Sequence, residues 1–338
     1  MAQSKSGLLK FIGDSIDILM KITEHIQNAK DKTLFSFELL PPVKGQSIQN
    51  IYNTIDPLME FNPPFIDVTY HREDYIYKEQ PGGLLQKVAY RKRPGTVAIC
   101  AAIMNKYKVD AVPHLICGGF TKEETENALI DLQFLGIDNV LVLRGDPRQT
   151  EKTFYPTPGG HEYASDLLQH VVDMNHGKYL HENIDVATDQ NNFCIGVAGY
   201  PEKHFESPNM ETDFKYLKKK IDLGADFIVT QMFFDNEKYR NFVEKCREYD
   251  INVPVIPGLK PITSSKQLIS LPKTFHLDFP LELSEAVRAC KSEKEVKEVG
   301  IEWLINQSKE LIKMGAPVLH FYTMGNPEPT KRIAEAVF

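Results

Sequence analysis

Cysteine is scarce in this chain: there are five in 338 residues, scattered and without a CxxC pair. That excludes a disulfide-stapled secreted scaffold and a zinc ribbon, and it leads us to expect reduced thiols in a cytoplasmic protein. Positive charge is not in excess, with 39 Lys and Arg against 46 Asp and Glu and a net charge of −7. A general grip on nucleic acid or an anionic membrane is therefore not expected, although a local basic pocket is compatible with this balance. No apolar run reaches the ~18–20 residues of a membrane span. The short apolar stretch within residues 1–15 is soon broken by charge and makes a poor signal peptide. Neither HxH nor HExxH occurs, so no metal site is expected. GxGxxG is also missing, which argues against a doubly wound dinucleotide-binding sheet.

What is present is alternation. Strand-like runs occupy 33–42, 65–70, 110–116, 139–144, 193–200, 227–231, 253–257 and 317–322. Helical patterns lie between them near 47–61, 84–107, 121–135, 163–175, 211–223, 236–249 and 264–313, the last interrupted by loops. An amphipathic pattern over 7–29 predicts an extra helix ahead of the first strand, within an N-terminal extension of residues 1–32. Eight near-continuous apolar strands, each followed by helical sequence, predict an α/β fold, a single (β/α)8 TIM-type barrel. We find no repeat and no interdomain linker. The chain reads as one domain, 1–338, with a polar surface insertion at 176–192.

In such a barrel, reactive groups stand at the C-terminal strand ends. Glu38 lies in an otherwise apolar strand, FSFELL, where desolvation favours its neutral form and suits a general acid. A structural pair with a neighbouring Arg or Lys is the alternative. Asp146 follows Arg144 across Gly145, either as a loop ion pair or as a carboxylate held near a reactive ring. His71, His114 and His204 stand singly and read more readily as pocket residues than as metal ligands. The lysines at 215, 218, 219 and 220 form a solvated helix face or, with one turned to the rim, a phosphate-binding one. Cys117 reads as a small buried hydrophobe and Lys260 as a solvated lysine, with a Schiff base as its alternative.

More specific are nine words in order: FELLPP (37–42), DVTY (67–70), PHLIC (113–117), LRGDP (143–147), YASDL (163–167), GYPEKH (199–204), IVTQMFFD (228–235), IPG (256–258) and HFYT (320–323). Together they resemble the methylenetetrahydrofolate reductases over about 33–325. The resemblance implies a barrel holding FAD at its rim, reduced by NADH or NADPH and reoxidised by 5,10-methylenetetrahydrofolate in a ping-pong cycle. It further implies a homo-oligomer that serves one-carbon metabolism and methionine synthesis. On this reading Glu38 is the acid that opens the folate ring and Asp146 the carboxylate beside the flavin. Thr69, Tyr70, His114, Arg144, Gly145, Asp146, Ala164, Tyr200, His204, Asp213 and Lys220 fall on flavin-contacting positions. Gln231, Gln267 and Tyr322, with Glu38, fall on the substrate side. The words depart from the family at His71-Arg72, at Leu271 and at Met324-Gly325-Asn326-Pro327. A metal-dependent barrel hydrolase built on His71, His114, His204 and Asp146 is a second reading. A flavin- or folate-binding carrier is a third.

Overall fold

The computed structural model describes residues 20–148, 151–185 and 192–338. Helix α1 (Ile22–Ala29) precedes strand β1 (Leu34–Leu39), helix α2 (Gln49–Ile55) and a 3-10 turn, Asp56–Phe61. After β2 (Phe65–Val68) comes an antiparallel hairpin of β3 (Asp74–Gln80) and β4 (Leu84–Tyr90), then α3 (Thr96–Tyr107). The alternation continues through β5 (Asp110–Ile116), α4 (Lys122–Phe134), β6 (Asn139–Leu143) and α5 (Ala164–Asn175). It goes on with β7 (Cys194–Gly199), α6 (Met210–Leu223), β8 (Phe227–Thr230) and α7 (Asn236–Glu248). Two short segments, β9 (Val255–Ile256) and β10 (Gly258–Leu259), precede α8 (Gln267–Phe275), α9 (Leu281–Ala289) and α10 (Glu293–Lys313). The last elements are β11 (Val318–Tyr322) and α11 (Pro327–Val337).

The parallel sheet runs β10-β11-β1-β2-β5-β6-β7-β8-β9. Its two ends are one strand broken at Pro257: β9 pairs with β8 and β10 with β11, so the ring closes as a (β/α)8 barrel. Proline has no N–H for a ladder, which explains the break there. Gly258 donates its N–H to Thr230 Oγ1 at 3.0 Å. A Cβ at Gly258 would stand 2.2 Å from both the Thr230 carbonyl and the Tyr322 hydroxyl, so closure needs a glycine.

Period-two alternation sorts the strand residues. Phe35, Phe37 and Leu39 of β1 pack outward against the helices. Phe65, Val112, Leu141, Phe227, Ile256 and Val318 fill the barrel with Ile22 of α1. Helix α1 thus plugs the N-terminal end of the barrel. Asn139 accepts the Ile22 N–H at 2.8 Å and donates to the Met20 carbonyl at 2.9 Å, while Asp110 accepts the Met20 N–H at 2.9 Å and meets His25 Nε2 at 2.7 Å.

The helix expected at 84–107 begins only at Thr96, because Leu84–Tyr90 pairs with Asp74–Gln80 as a hairpin. The turn between them holds Gly82 and Gly83, both at positive φ (85° and 76°), where glycine is strain-free. Leu84, Leu85 and Val88 mimic helical spacing, which misled the periodicity. The expected helix at 7–29 is described only from Ile22, and most of its span lies outside the described residues. In the insertion at 176–192, Lys178 and Asn183 form an antiparallel bridge, and 186–191 lie outside the described residues.

Candidate active site

The same alternation that buries Phe65 and Val112 turns Glu38, Asp67, His114 and His320 into the upper half of the barrel. Glu38 Oε2 stands 3.6 Å from His114 Nε2, and the same nitrogen donates to Asp67 Oδ2 at 3.3 Å. Burial raises the Glu38 carboxyl to about 7, with Asp67 adding to the rise and His114 and Lys260 opposing it. At His114 burial works against the imidazolium, yet the bond to Asp67 and the charges of Glu38 and Asp67 outweigh it and raise its basicity. Lys260 is buried, contrary to the solvated lysine expected from the sequence, and burial lowers its basicity against the pull of Glu38. Glu38 is therefore an acid whose proton is exchangeable near neutrality.

The loops after β2, β5, β6 and β7 form the neighbouring part of the rim. Thr69 donates Oγ1 to the Leu39 carbonyl at 3.2 Å, and Tyr70 packs on Phe120 with ring centroids 4.8 Å apart. Gly145, at φ 86°, turns the chain tightly over Ile116 and leaves Asp146 exposed. Arg144 pairs with Glu206, so the Arg144–Asp146 ion pair is not how this turn is held. The Tyr200 ring lies edge-on to His204 at 4.7 Å, and burial, then the charge of Asp146, raises its hydroxyl pKa. Asp213 accepts the His204 N–H at 3.0 Å and the Ser207 hydroxyl at 2.7 Å, so it fixes this loop. Ala164 opens α5 at the same rim. Of the four clustered lysines only Lys220 turns in, donating to the Ala198 carbonyl at 2.8 Å, and burial lowers it to about 8 against the pull of Asp213. Lys215 and Lys219 are exposed, and Lys218 pairs with Asp222.

Across the mouth, Tyr322 donates its hydroxyl to the Thr230 carbonyl at 2.6 Å. Gln231 folds back so that its Oε1 accepts the Met232 N–H at 2.9 Å. Gln267 Oε1 accepts the N–H groups of Thr263 at 2.7 Å and Ser264 at 3.2 Å. Leu271 is buried with Met232, Phe234 and Leu277. Cys117 is buried, donates to the Leu143 carbonyl, and is pushed up to about 12 by burial. Among the described residues no group of three His, Cys, Asp or Glu is arranged to hold a metal ion. Asp67, which the sequence reading passed over, is the main addition. Its signal was available: like Glu38, it is a lone carboxyl in an apolar strand, FIDV.

Fold and site define a (β/α)8 barrel protein whose mouth joins a buried, protonatable carboxyl to a cationic and aromatic rim. The chain belongs to the methylenetetrahydrofolate reductase family, whose model matches residues 21–337. It is 34% identical over 321 residues to methylenetetrahydrofolate reductase 1 of Schizosaccharomyces pombe, covering 94% of this chain and 48% of that protein. It is 32% identical over 317 residues to methylenetetrahydrofolate reductase (NADH) 1 of Arabidopsis thaliana, covering 90% of this chain and 48% of that protein. With the 5,10-methylenetetrahydrofolate reductase of Escherichia coli (strain K12) it shares 29% identity over 307 residues, covering 89% of this chain and 90% of that protein. The chain thus spans about half the length of the eukaryotic relatives named here and most of the bacterial one. Among the described residues no helix is long and apolar enough to cross a membrane.

Proposed function

We propose that this chain reduces 5,10-methylenetetrahydrofolate to 5-methyltetrahydrofolate, using a bound FAD and either NADH or NADPH, and so supplies methyl groups for methionine synthesis. The observation that carries this reading is Glu38, an acid with a pKa raised by burial to about 7 in the mouth of a barrel of this family. The rim residues fit a flavin dinucleotide. Lys220 is a half-buried amine with no carboxylate in contact among the described residues, and Arg144, paired with Glu206, acts with it on the same His204. Both suit an anion such as a diphosphate. Lys220 and Arg144 would hold its charge, while Thr69, Tyr70, His114, Gly145, Ala164, Tyr200 and His204 would line it and Asp213 would fix the Tyr200–His204 loop. When bound, FAD supplies a two-electron carrier that the nicotinamide reduces and the folate reoxidises in ping-pong order.

Glu38 gives its proton to one of the two nitrogens flanking the folate methylene carbon. The bond from that nitrogen to the carbon breaks, its electron pair stays on the nitrogen, and an iminium cation remains on the other side. The Glu38 carboxylate left behind faces His114 and Lys260. The negative charge of Asp146 favours the cation electrostatically. Gln231, Gln267 and Tyr322 would orient the folate, after Gln231 and Gln267 exchange their present backbone partners.

Stopped-flow absorbance tests the reading. The purified protein is expected to show a flavin spectrum that NADH or NADPH bleaches without oxygen and methylenetetrahydrofolate restores. Glu38→Gln should still bleach, while its reoxidation by the folate slows by ~10²–10⁴-fold. A protein that takes up no flavin, or a Glu38→Gln variant that reoxidises at the wild-type rate, overturns the proposal.

A further inference from the structure

Glu38 does not have His114 to itself. One imidazole nitrogen, Nε2, stands 3.6 Å from Glu38 Oε2 and 3.3 Å from Asp67 Oδ2, so a single N–H lies between two carboxyl groups on neighbouring strands. Asp67 is the deeper of the two, 1% exposed, and its Oδ1 has no partner among the described residues. Nearby, His320 stacks on Phe65 at 6.3 Å and shares a 2.8 Å hydrogen bond between its Nδ1 and Ser36 Oγ. The titratable and charged groups facing this cluster are His114 from β5, Lys260 just beyond β10, and His320 and Tyr322 from β11. Cys100 of α3 and His71 beyond β2 lie within its electrostatic reach.

An imidazolium beside a single carboxyl holds that carboxyl as its anion. Burial favours the proton on Glu38, but His114 and Lys260 both oppose it, so a Glu38 paired to His114 alone would lose its proton at lower pH than it does beside Asp67. Two carboxyls around one N–H divide the work: the one that accepts the hydrogen bond carries the negative charge and frees the other to keep its proton. We propose that Asp67 is a positioning residue for the reaction: as the hydrogen-bonded anion of His114, it leaves Glu38 as the protonated partner. The inference rests on the proposed function for the identity of the proton acceptor. Before the step Glu38 and His114 each carry a proton. Afterwards the Glu38 proton is on the folate nitrogen, His114 keeps its own, and solvent reprotonates Glu38.

Asp67→Asn tests this, because it keeps the shape and leaves Glu38 as the one anionic partner of His114. The basic limb of the folate half-reaction is expected to move down by about one pH unit or more. The rate near pH 7.5 should fall about eightfold or more and recover on acidification. A second readout needs no turnover. The infrared C=O stretch of protonated Glu38, identified by its loss in Glu38→Gln, should disappear at lower pH in Asp67→Asn than in the parent protein. A limb and band that stay in place, or move up, overturn the inference. Should Asp67→Asn not fold, His114→Gln probes the same balance from the other side. Without the imidazolium the Glu38 band should persist to higher pH, and an unmoved band again overturns the inference. Parent protein that fails to turn over methylenetetrahydrofolate while the infrared midpoints move as expected defeats the functional reading and leaves the Asp67 assignment standing.

Discussion

Glu38 and Asp146 carry the same functional group in opposite surroundings. Glu38 is enclosed by strands and its proton is held to about 7, whereas Asp146 is exposed on the turn that Gly145 allows. One is suited to giving a proton and the other to presenting a fixed negative charge. Asp146→Asn removes that charge and keeps the shape. The flavin's reduction potential is expected to rise, with nicotinamide reduction as fast or faster and folate reduction slower. Anaerobic stopped-flow on each half-reaction, with a potential titration, checks this. Equal slowing of both with loss of bound flavin would instead mean a collapsed turn. Glu38 was legible because a lone carboxylate interrupts an apolar strand. Asp67 follows the same rule and was missed, since alternation tells which way a side chain points but not what faces it across a closed barrel. Lys260 was misjudged for the same reason: beside Pro257-Gly258 it looks like a loop lysine, and only closure buries it next to Glu38.

Among the elements, α6 shows how a helix separates similar residues. Lys215, Lys218 and Lys219 face water or Asp222, while Lys220 reaches back to the end of β7 at the Ala198 carbonyl. Lys220→Ala is expected to weaken FAD retention by about 10–100-fold, the worth of one charge-assisted contact, with a smaller effect on the chemical steps. Flavin content after dilution and gel filtration measures this, and normal occupancy would mean the lysine does not meet the cofactor. The eight barrel strands were legible from apolar runs between turn signals. The β3–β4 hairpin was not, because its exposed strands carry no buried stripe, and Tyr77, Leu84 and Leu85 are more than half exposed.

At the scale of the whole molecule the two ends of the barrel are built differently, with the proposed chemistry at the C-terminal mouth and α1 packed into the base. Asn139→Ala leaves the buried N–H of Ile22 without its acceptor and is expected to cost about 1–3 kcal/mol. Denaturant unfolding should register the loss, while flavin binding and both half-reactions stay unchanged. A change at the mouth would mean that the ends are coupled.

The order of the strands also bears on how the polypeptide is made. β11 pairs with β1 on one side and β10 on the other, so Leu34 has no neighbour there until Val318 has left the ribosome. Until then a growing chain of this protein presents β1 as a bare edge, open to pairing with any other unfinished chain. Ring closure joins the most distant strands in the sequence, the kind of non-local pairing that slows folding. A polypeptide that stops short of Val318 keeps that edge of β1 unpaired.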